Sequence, residues 1–257
     1  MITIKSAVEI DRLRESGRIV ALTFRHIEPM VVPGITTEEI DREICRFITS
    51  QGGRPAFKGI PSSTGVPFPG NSCISIDEEV VHGIPNGRKL QAGQIVGIDI
   101  GVEKGGFYGD AARTYKVGNV SSLKDRLVQV TKEALAIAIQ EARAERPLGA
   151  ISHAIQTHVE AAGFSVVRDL VGHGIGKTLH EAPQIPNFGS SNQGPKLRVG
   201  MTLAIEPMVN AGKWQVRFLP DSWRVVTLDG SPSAHFENTI AITDSAPEVL
   251  TELVEDK

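Results

Sequence analysis

Between Ile95 and Tyr115 the chain reads IVGIDIGVEKGGFYGDAARTY, and its acidic residues stand where acids are out of place. The first segment alternates as a strand does. Val96, Ile98, Ile100 and Val102 take one face, while Ile95, Gly97, Asp99 and Gly101 take the other. Asp99 therefore sits mid-strand with a glycine two residues to either side, a spacing that clears room for something to approach. Aspartate is depleted in strands, and a buried charge without partners is too costly to keep. Lys104-Gly105-Gly106 reverses the chain and returns Asp110 on the next antiparallel strand, where two carboxylates can share a cation.

Three later stretches repeat this pattern. MTLAIEP places Glu206 on an otherwise apolar strand. In HFENTIAI, Phe236, Asn238, Ile240 and Ile242 face one way and Glu237, Thr239 and Ala241 the other. His173 lies between glycines in VGHGIG, a context that favours close approach of a ligand over a packed core histidine. Taken singly, each has a plain reading as a turn aspartate, a salt-bridged glutamate or a core histidine. Together they place four carboxylates in apolar strands, and the nearest cations, Arg113, Lys116, Arg217 and Arg224, read as exposed-face residues. Four buried anions repel one another or stay protonated. Two divalent ions would balance Asp99, Asp110, Glu206 and Glu237, with His173 as the neutral nitrogen ligand. That donor set suits Mn, Fe, Co or Zn. Paired ions roughly 3.5–4 Å apart generate a hydroxide nucleophile in hydrolases, aminopeptidases among them. His82 and His180 are left for substrate, one steadying a developing oxyanion and the other hydrogen-bonding the scissile amide or its leaving group. The spacing of Gly172, Gly174 and Gly176 is wrong for a dinucleotide fingerprint.

The elements that must position these residues are legible as well. Ser6 with Glu9 reads as a capping box opening a helix through Ile10, Leu13, Ile19, Val20 and Ile27, which Pro33-Gly34 follows. Thr36 or Thr37 opens a second, with Ile40, Ile44 and Ile48 on one stripe and Gly52-Gly53 as its stop. Residues 54–72, rich in Pro, Gly and Ser, read as loop. Ser121 or Ser122 caps a long helix, Pro147 breaks it, and Ile151, Ile155 and Val159 form a further stripe ended by Gly163. These match Ile40, Ile44, Ile48 and Gly52 at one constant spacing and in the same element order, which implies an internal duplication over about 1–118 and 119–250. The expectation is a single α+β domain, 1–257, with an antiparallel sheet, outer helices and a pseudo-twofold axis.

The 257 residues are 40% hydrophobic and 22% charged with net charge −3, ordinary for a soluble globular chain. No basic run marks a nucleic-acid partner, no apolar stretch is long enough to span a bilayer, and no secretory signal opens the chain. Two cysteines are too few for a disulfide framework and fit a reducing cytoplasm. His26, His153 and His158 read as helix-surface residues, Cys45 as a small buried hydrophobe, and Cys73 as a pocket contact. His235 stays unassigned, read as pointing away from Glu237.

PGITTEEID, SCISIDEEVVHGIP, GIDIGVEKGGFYGDAARTY, GHGIGKTLHEAPQIPNFG, MTLAIEPM and HFENTI together resemble the type I methionine aminopeptidases of the pita-bread fold, over nearly the whole chain. The resemblance implies that Asp110 and Glu237 bridge two ions, that Asp99 binds one, and that His173 with Glu206 binds the other. It implies that Glu206 handles the proton of the bridging water, that His82 and His180 contact substrate, and that Cys73, Phe68, Trp223 and Leu179 line a methionine pocket. It further implies removal of the initiator methionine from nascent chains when the next residue is small, with transient ribosome contact. The lack of an exposed apolar stripe makes a monomer the expectation, and the cysteine count makes the cytoplasm the expected compartment. The stretch SSTGVPFPG is longer than is usual before the Cys73 strand. Phe68 stands where a tyrosine is common, Leu179 where an aromatic is common in some members, and Asn238 where a histidine often follows the bridging glutamate. A broader aminopeptidase of the same fold, an X-Pro peptidase, and a catalytically silent binding protein are the competing readings.

Overall fold

The computed structural model describes residues 1–253 and is a mixed α+β structure, as expected; the last four residues of the expected 1–257 domain lie outside the described ones. The described residues hold four α-helices, α1 (Ala7–Ile27), α2 (Thr37–Ser50), α3 (Ser122–Glu141) and α4 (Gly149–Ala161), with a short 3-10 turn at Glu28–Met30. The strands are β1 (Arg54–Pro55), β2 (Cys73–Ile76), β3 (Glu79–Val81), β4 (Ile95–Lys104), β5 (Phe107–Lys116), β6 (Ser165–Val166), β7 (Val171–Gly174) and β8 (Glu181–Pro186). The chain continues with β9 (Thr202–Ile205), β10 (Met208–Asn210), β11 (Val216–Phe218), β12 (Val225–Thr227), β13 (Ser233–His235), β14 (Glu237–Ala241) and β15 (Glu248–Val249).

The expected Ser6–Glu9 capping box is present, and Thr36, of the two candidates, opens α2 with a second box. The Ser6 and Thr36 hydroxyls accept from the backbone N–H groups of Glu9 and Glu39, and each glutamate reaches back to its cap. Ser121, of the two candidates, caps α3 by accepting from Lys124 N–H. Ile40, Ile44 and Ile48 on α2, and Ile151, Ile155 and Val159 on α4, are fully buried, so both stripes face the core as their period requires. One apolar cluster gathers α1 and α2 against β2, β4 and β5. A second gathers α3 and α4 with strand residues such as Leu203, Ile205 and Ile240.

A nine-stranded antiparallel sheet runs β1-β4-β5-β14-β9-β7-β8, with β2 added on β4 and β15 on β14. Its longest strands form the β4–β5 hairpin, closed by Gly105 and Gly106 at φ 60° and 81°, a left-handed pair that matches the twist of the strands it joins.

Residues 54–72 are more ordered than a loop. Arg54–Pro55 pairs with β4, and the following stretch folds into a small ribbon in which Pro61 bridges Pro67 and Phe68 N–H donates to Ile60 O. Its sequence hid this because prolines and Ser62–Gly65 form the tip while the flanks hold only short apolar pieces. Cys45 is half-buried, not buried, since α2 turns it away from the Ile40–Ile48 stripe.

Candidate active site

Strand register gathers the acids. Asp99 on β4 and Glu237 on β14 both sit opposite Ala112 of β5, so the three side chains share one row and one face. Asp110 lies two residues before Ala112 on that face, diagonal to Asp99. One strand further on, Ala204 of β9 stands between Thr239 and His173, and Glu206 follows two residues later, just past the end of β9. Ala112 and Ala204 are fully buried, and their small side chains leave the space above them to the acids. Where the β5–β14 ladder ends, the Thr239 hydroxyl accepts from Asp110 N–H (3.0 Å) and donates to Asp110 O (2.8 Å), keeping the two acid strands together.

All five expected ligand residues line one cavity of about 540 Å³. Asp110, His173 and Glu237 each offer a donor atom, and these atoms lie within 4.8 Å of one another. His173 Nε2 is 3.7 Å from Glu206 Oε1 and 4.0 Å from Asp110 Oδ2. Its Nδ1 faces Gly174 O at 2.9 Å; donation there leaves the Nε2 lone pair aimed at the acids. The glycines around His173 serve the sheet rather than a ligand. A Cβ on Gly172 would lie 2.6 Å from Ala204 O, and one on Gly174 2.3 Å from Ala182 O. Likewise the space beside Gly101 is filled by the Phe57 ring, 2.5 Å from where a Cβ would sit.

The electrostatics are those of an anion cluster. Burial, and then repulsion from Asp110 and its neighbours, drives Asp99, Glu206 and Glu237 well above the usual carboxylate range; burial lifts Asp110 to about 7. Among the described residues, Asp99 Oδ1, Asp110 Oδ1 and Glu237 Oε1 are buried without a hydrogen-bond partner. Unpartnered buried oxygens on clustered acids are donors waiting for a cation, and the oxygen-rich set with one imidazole fits a divalent metal.

Two residues depart from expectation. His235 does not point away: its Nε2 lies 3.8 Å from Glu206 Oε2 and 3.9 Å from Glu237 Oε2, buried and without a hydrogen-bond partner. Burial pulls it down to about 3, so it stands neutral against the acids. The signal was available, because residues 235 and 237 have the same parity on one extended segment. Arg113 is not an exposed-face residue. It donates to the carbonyls of Ala112 and Glu237 and, at 2.6 Å, to Asn238 Oδ1, packed over Phe24. Its charge sits behind the Glu237 backbone, leaving the carboxylate itself unpaired. Asn238 also accepts from Thr251 and donates to Glu252, which ties β14 to the segment after β15.

The other end of the cavity is apolar. Phe57, Phe68, Cys73, Ile175 and Leu179 pack as one cluster, with Ile60, Tyr108 and Trp223 against it. Trp223 meets the Phe68 ring edge-on at 5.0 Å and donates from Nε1 to Val66 O at 3.2 Å, so the 60–68 ribbon forms part of the wall. Cys73 pairs in register with Asp99 and is buried, its thiol pushed up by burial and then by Asp99. His180 stacks edge-on against His173 with ring centres 4.5 Å apart, and His82, at φ 59°, faces Trp223 at 6.0 Å. Burial lowers His180, and burial with His180 nearby lowers His82 to about 4. Every residue expected to touch substrate thus lines the same cavity as the acids.

The clustered acids suit metal-assisted hydrolysis beside an apolar recess, and similarity to known proteins makes the class a metal-dependent peptidase of the pita-bread fold. The chain belongs to metallopeptidase family M24, whose model matches residues 11–244. It is 51% identical to methionine aminopeptidase 1 of Bacillus subtilis over 251 residues, 98% of this chain and 99% of that protein. The crystal structure of a methionine aminopeptidase from Thermotoga maritima superposes with TM-score 0.94 at 45% identity, covering 98% of this chain and all of that one. An Xaa-Pro dipeptidase from Bacillus anthracis shares the fold at TM-score 0.76 and 22% identity, and this chain spans 63% of its length. The family is one of metallopeptidases, and the acid cluster fits the divalent metal that the protein uses. Among the described residues no helix is long and apolar enough to cross a membrane.

Proposed function

We propose that this chain is an aminopeptidase that removes the initiator methionine from nascent proteins, acting as one catalytic unit built from two duplicated halves. The observation that carries the reading is a single cavity with unpartnered buried carboxylate oxygens at one end and an apolar recess at the other. Two divalent ions, of the Mn, Fe, Co or Zn type, would be held by Asp99, Asp110, His173, Glu206 and Glu237, with His235 supporting Glu206 and Glu237 from below. When bound, the ions supply a hydroxide nucleophile at neutral pH and Lewis acidity toward the scissile carbonyl.

The chain's own residues do the rest. Phe68, Cys73, Leu179 and Trp223 receive the methionine side chain, which suits a soft, unbranched thioether. The depth of that recess holds the scissile bond over the acids. His180, beside His173, donates to the carbonyl oxygen as charge builds there, and His82 hydrogen-bonds the amide or its leaving nitrogen. Both are neutral at physiological pH: His180 has one N–H to give, while His82 donates toward the Trp223 backbone carbonyl and keeps its other nitrogen as an acceptor. Glu206 is placed to take a proton from the attacking water and pass it to the leaving amine. In this reading the enzyme acts in the cytoplasm, as a monomer with transient contact at the ribosome.

The test is turnover of Met-Ala-Ser, Leu-Ala-Ser and Ala-Pro-Ala by metal-stripped protein with Mn or Co restored. Metal-dependent release of methionine alone is expected. Equal cleavage of the leucine peptide would sink the specificity, and release of alanine from Ala-Pro-Ala would move the chain toward the X-Pro enzymes. No turnover at all, with ions bound, would make it a silent binding protein.

A further inference from the structure

The segment that joins β7 to β8 carries both Leu179 of the recess and His180; Ile175 and Leu179 pack into the apolar cluster, while Lys177, Thr178 and His180 are exposed. Its exposed tip is gathered around one carboxylate. Glu181 Oε1 accepts from the backbone N–H groups of Lys177 (2.9 Å) and Thr178 (3.3 Å), folding the turn around the acid. Glu181 Oε2 accepts from Thr3 Oγ1 at 2.6 Å and from the ammonium of Lys5, which also donates to Thr3. The Lys5–Glu181 pair is nearly dry, with side chains 6% and 13% exposed. Three further ties hold the same region. Lys177 pairs with Glu9, the capping-box acid of α1, at 2.8 Å, and Lys5 N–H donates to Gly200 O. Tyr108 N–H, on the acid-bearing hairpin, donates to Gly176 O at 2.9 Å.

From this geometry we infer that Glu181 and Lys5 are positioning residues for catalysis: the N-terminal arm, residues 3–9, clamps the turn that aims His180 and Leu179 at the substrate. The charge state fits the role. Lys5 and Thr3 hold Glu181 below the usual carboxylate range against the opposing effect of its burial, so it is an acceptor throughout the working pH range. Removing Lys5 would leave a partly buried anion uncompensated and free to turn toward water, taking the two amide hydrogen bonds with it. Nothing in the clamp touches the acids of the metal centre, so the ligands should keep their places while the histidine loses its aim. A donor misplaced by about 1 Å costs on the order of 100-fold in rate.

This inference rests on the aminopeptidase reading, so the test joins hydrogen exchange to kinetics in the metal-loaded protein. In Glu181→Ala and Lys5→Met, the Lys177 and Thr178 amides should exchange at least tenfold faster than in the parent. In the same variants kcat on Met-Ala-Ser should fall tenfold or more, with Mn affinity by calorimetry unchanged. Glu181→Gln, which keeps an acceptor oxygen, should recover part of both. If exchange and kcat stay within twofold of the parent, the clamp is only structural decoration and the inference fails. It fails equally if kcat falls only in proportion to lost Mn affinity. If Glu181→Ala does not fold, Lys5→Met and Glu181→Gln decide the matter. An inactive parent would sink the aminopeptidase reading, while exchange would still report whether the clamp exists.

Discussion

His235 shows most directly how a single side chain shapes the centre. Its neutral ring, 3.8 Å from Glu206 and 3.9 Å from Glu237, offers a nitrogen that is buried and without a hydrogen-bond partner. Outer groups of this kind hold ligands in place and typically contribute 10–100-fold to metal affinity. His235→Ala should therefore weaken Mn binding by about that factor, measured by calorimetry, while the apolar recess and KM at saturating metal change little; unchanged Mn affinity would exclude the role. The acids themselves were legible because apolar strands do not carry carboxylates without reason. His235 was not read because it precedes Phe236, where the extended chain passes from β13 to β14, and the break masked a parity that in fact continues. Arg113 was misread for the opposite reason. Alternation gives the face of a residue, but a long side chain can fold back along the sheet and cap carbonyls from behind.

The elements were legible wherever local chemistry fixed them. Two capping boxes, the isoleucine stripes and the Gly105–Gly106 turn each name their structure in a few residues. What escaped were arrangements set by contact at a distance, and the glycines are the clearest case. Beside His173 and Asp99 they admit a neighbouring strand or the Phe57 ring, a fact carried by the partner and not by the local sequence. The same logic governs how α1 crosses the acid-bearing hairpin. A Cβ on Gly109 would lie 2.7 Å from Gly17 N, and one on Gly17 2.2 Å from Leu250 O. Helix, strand and the segment after β15 thus meet backbone to backbone, one residue from Asp110. Gly17→Ala must push α1 outward, and overpacking of this kind costs roughly 1–3 kcal/mol. A lower denaturation midpoint with unchanged slope is expected in urea; a midpoint equal to the parent's would show that the crossing is loose.

Across the molecule, folding and metal binding are linked through the protons of the acid cluster, and the linkage has a definite sign. In the metal-free protein Asp99, Asp110, Glu206 and Glu237 hold protons to higher pH than they would unfolded, Asp110 to about 7. Groups raised on folding stabilise the native state at low pH, and that contribution is lost as pH rises through their folded values. The buried histidines work the other way. His82 and His173 are pulled down to about 4 and His235 to about 3, so the unfolded chain takes their protons first as pH falls, and stability gained from them is complete by about pH 7. Between about pH 4 and 6.5 the two sets oppose each other. Above about pH 7 the histidines are neutral in both states, and only the carboxylates remain. Stability of the stripped protein should then fall by up to about 1.4 kcal/mol per pH unit for each proton still held. In a domain of this size that is roughly 2–4 °C in Tm for each kcal/mol. Divalent ions remove the dependence, because they replace the protons and favour the ionised acids. Thermal melts from pH 6.5 to 8.5 should show a falling Tm for the chelator-treated protein and a flat, higher Tm with Mn present. Parallel curves would mean that the acids are already ionised without metal, and that something other than a cation neutralises the floor of the site.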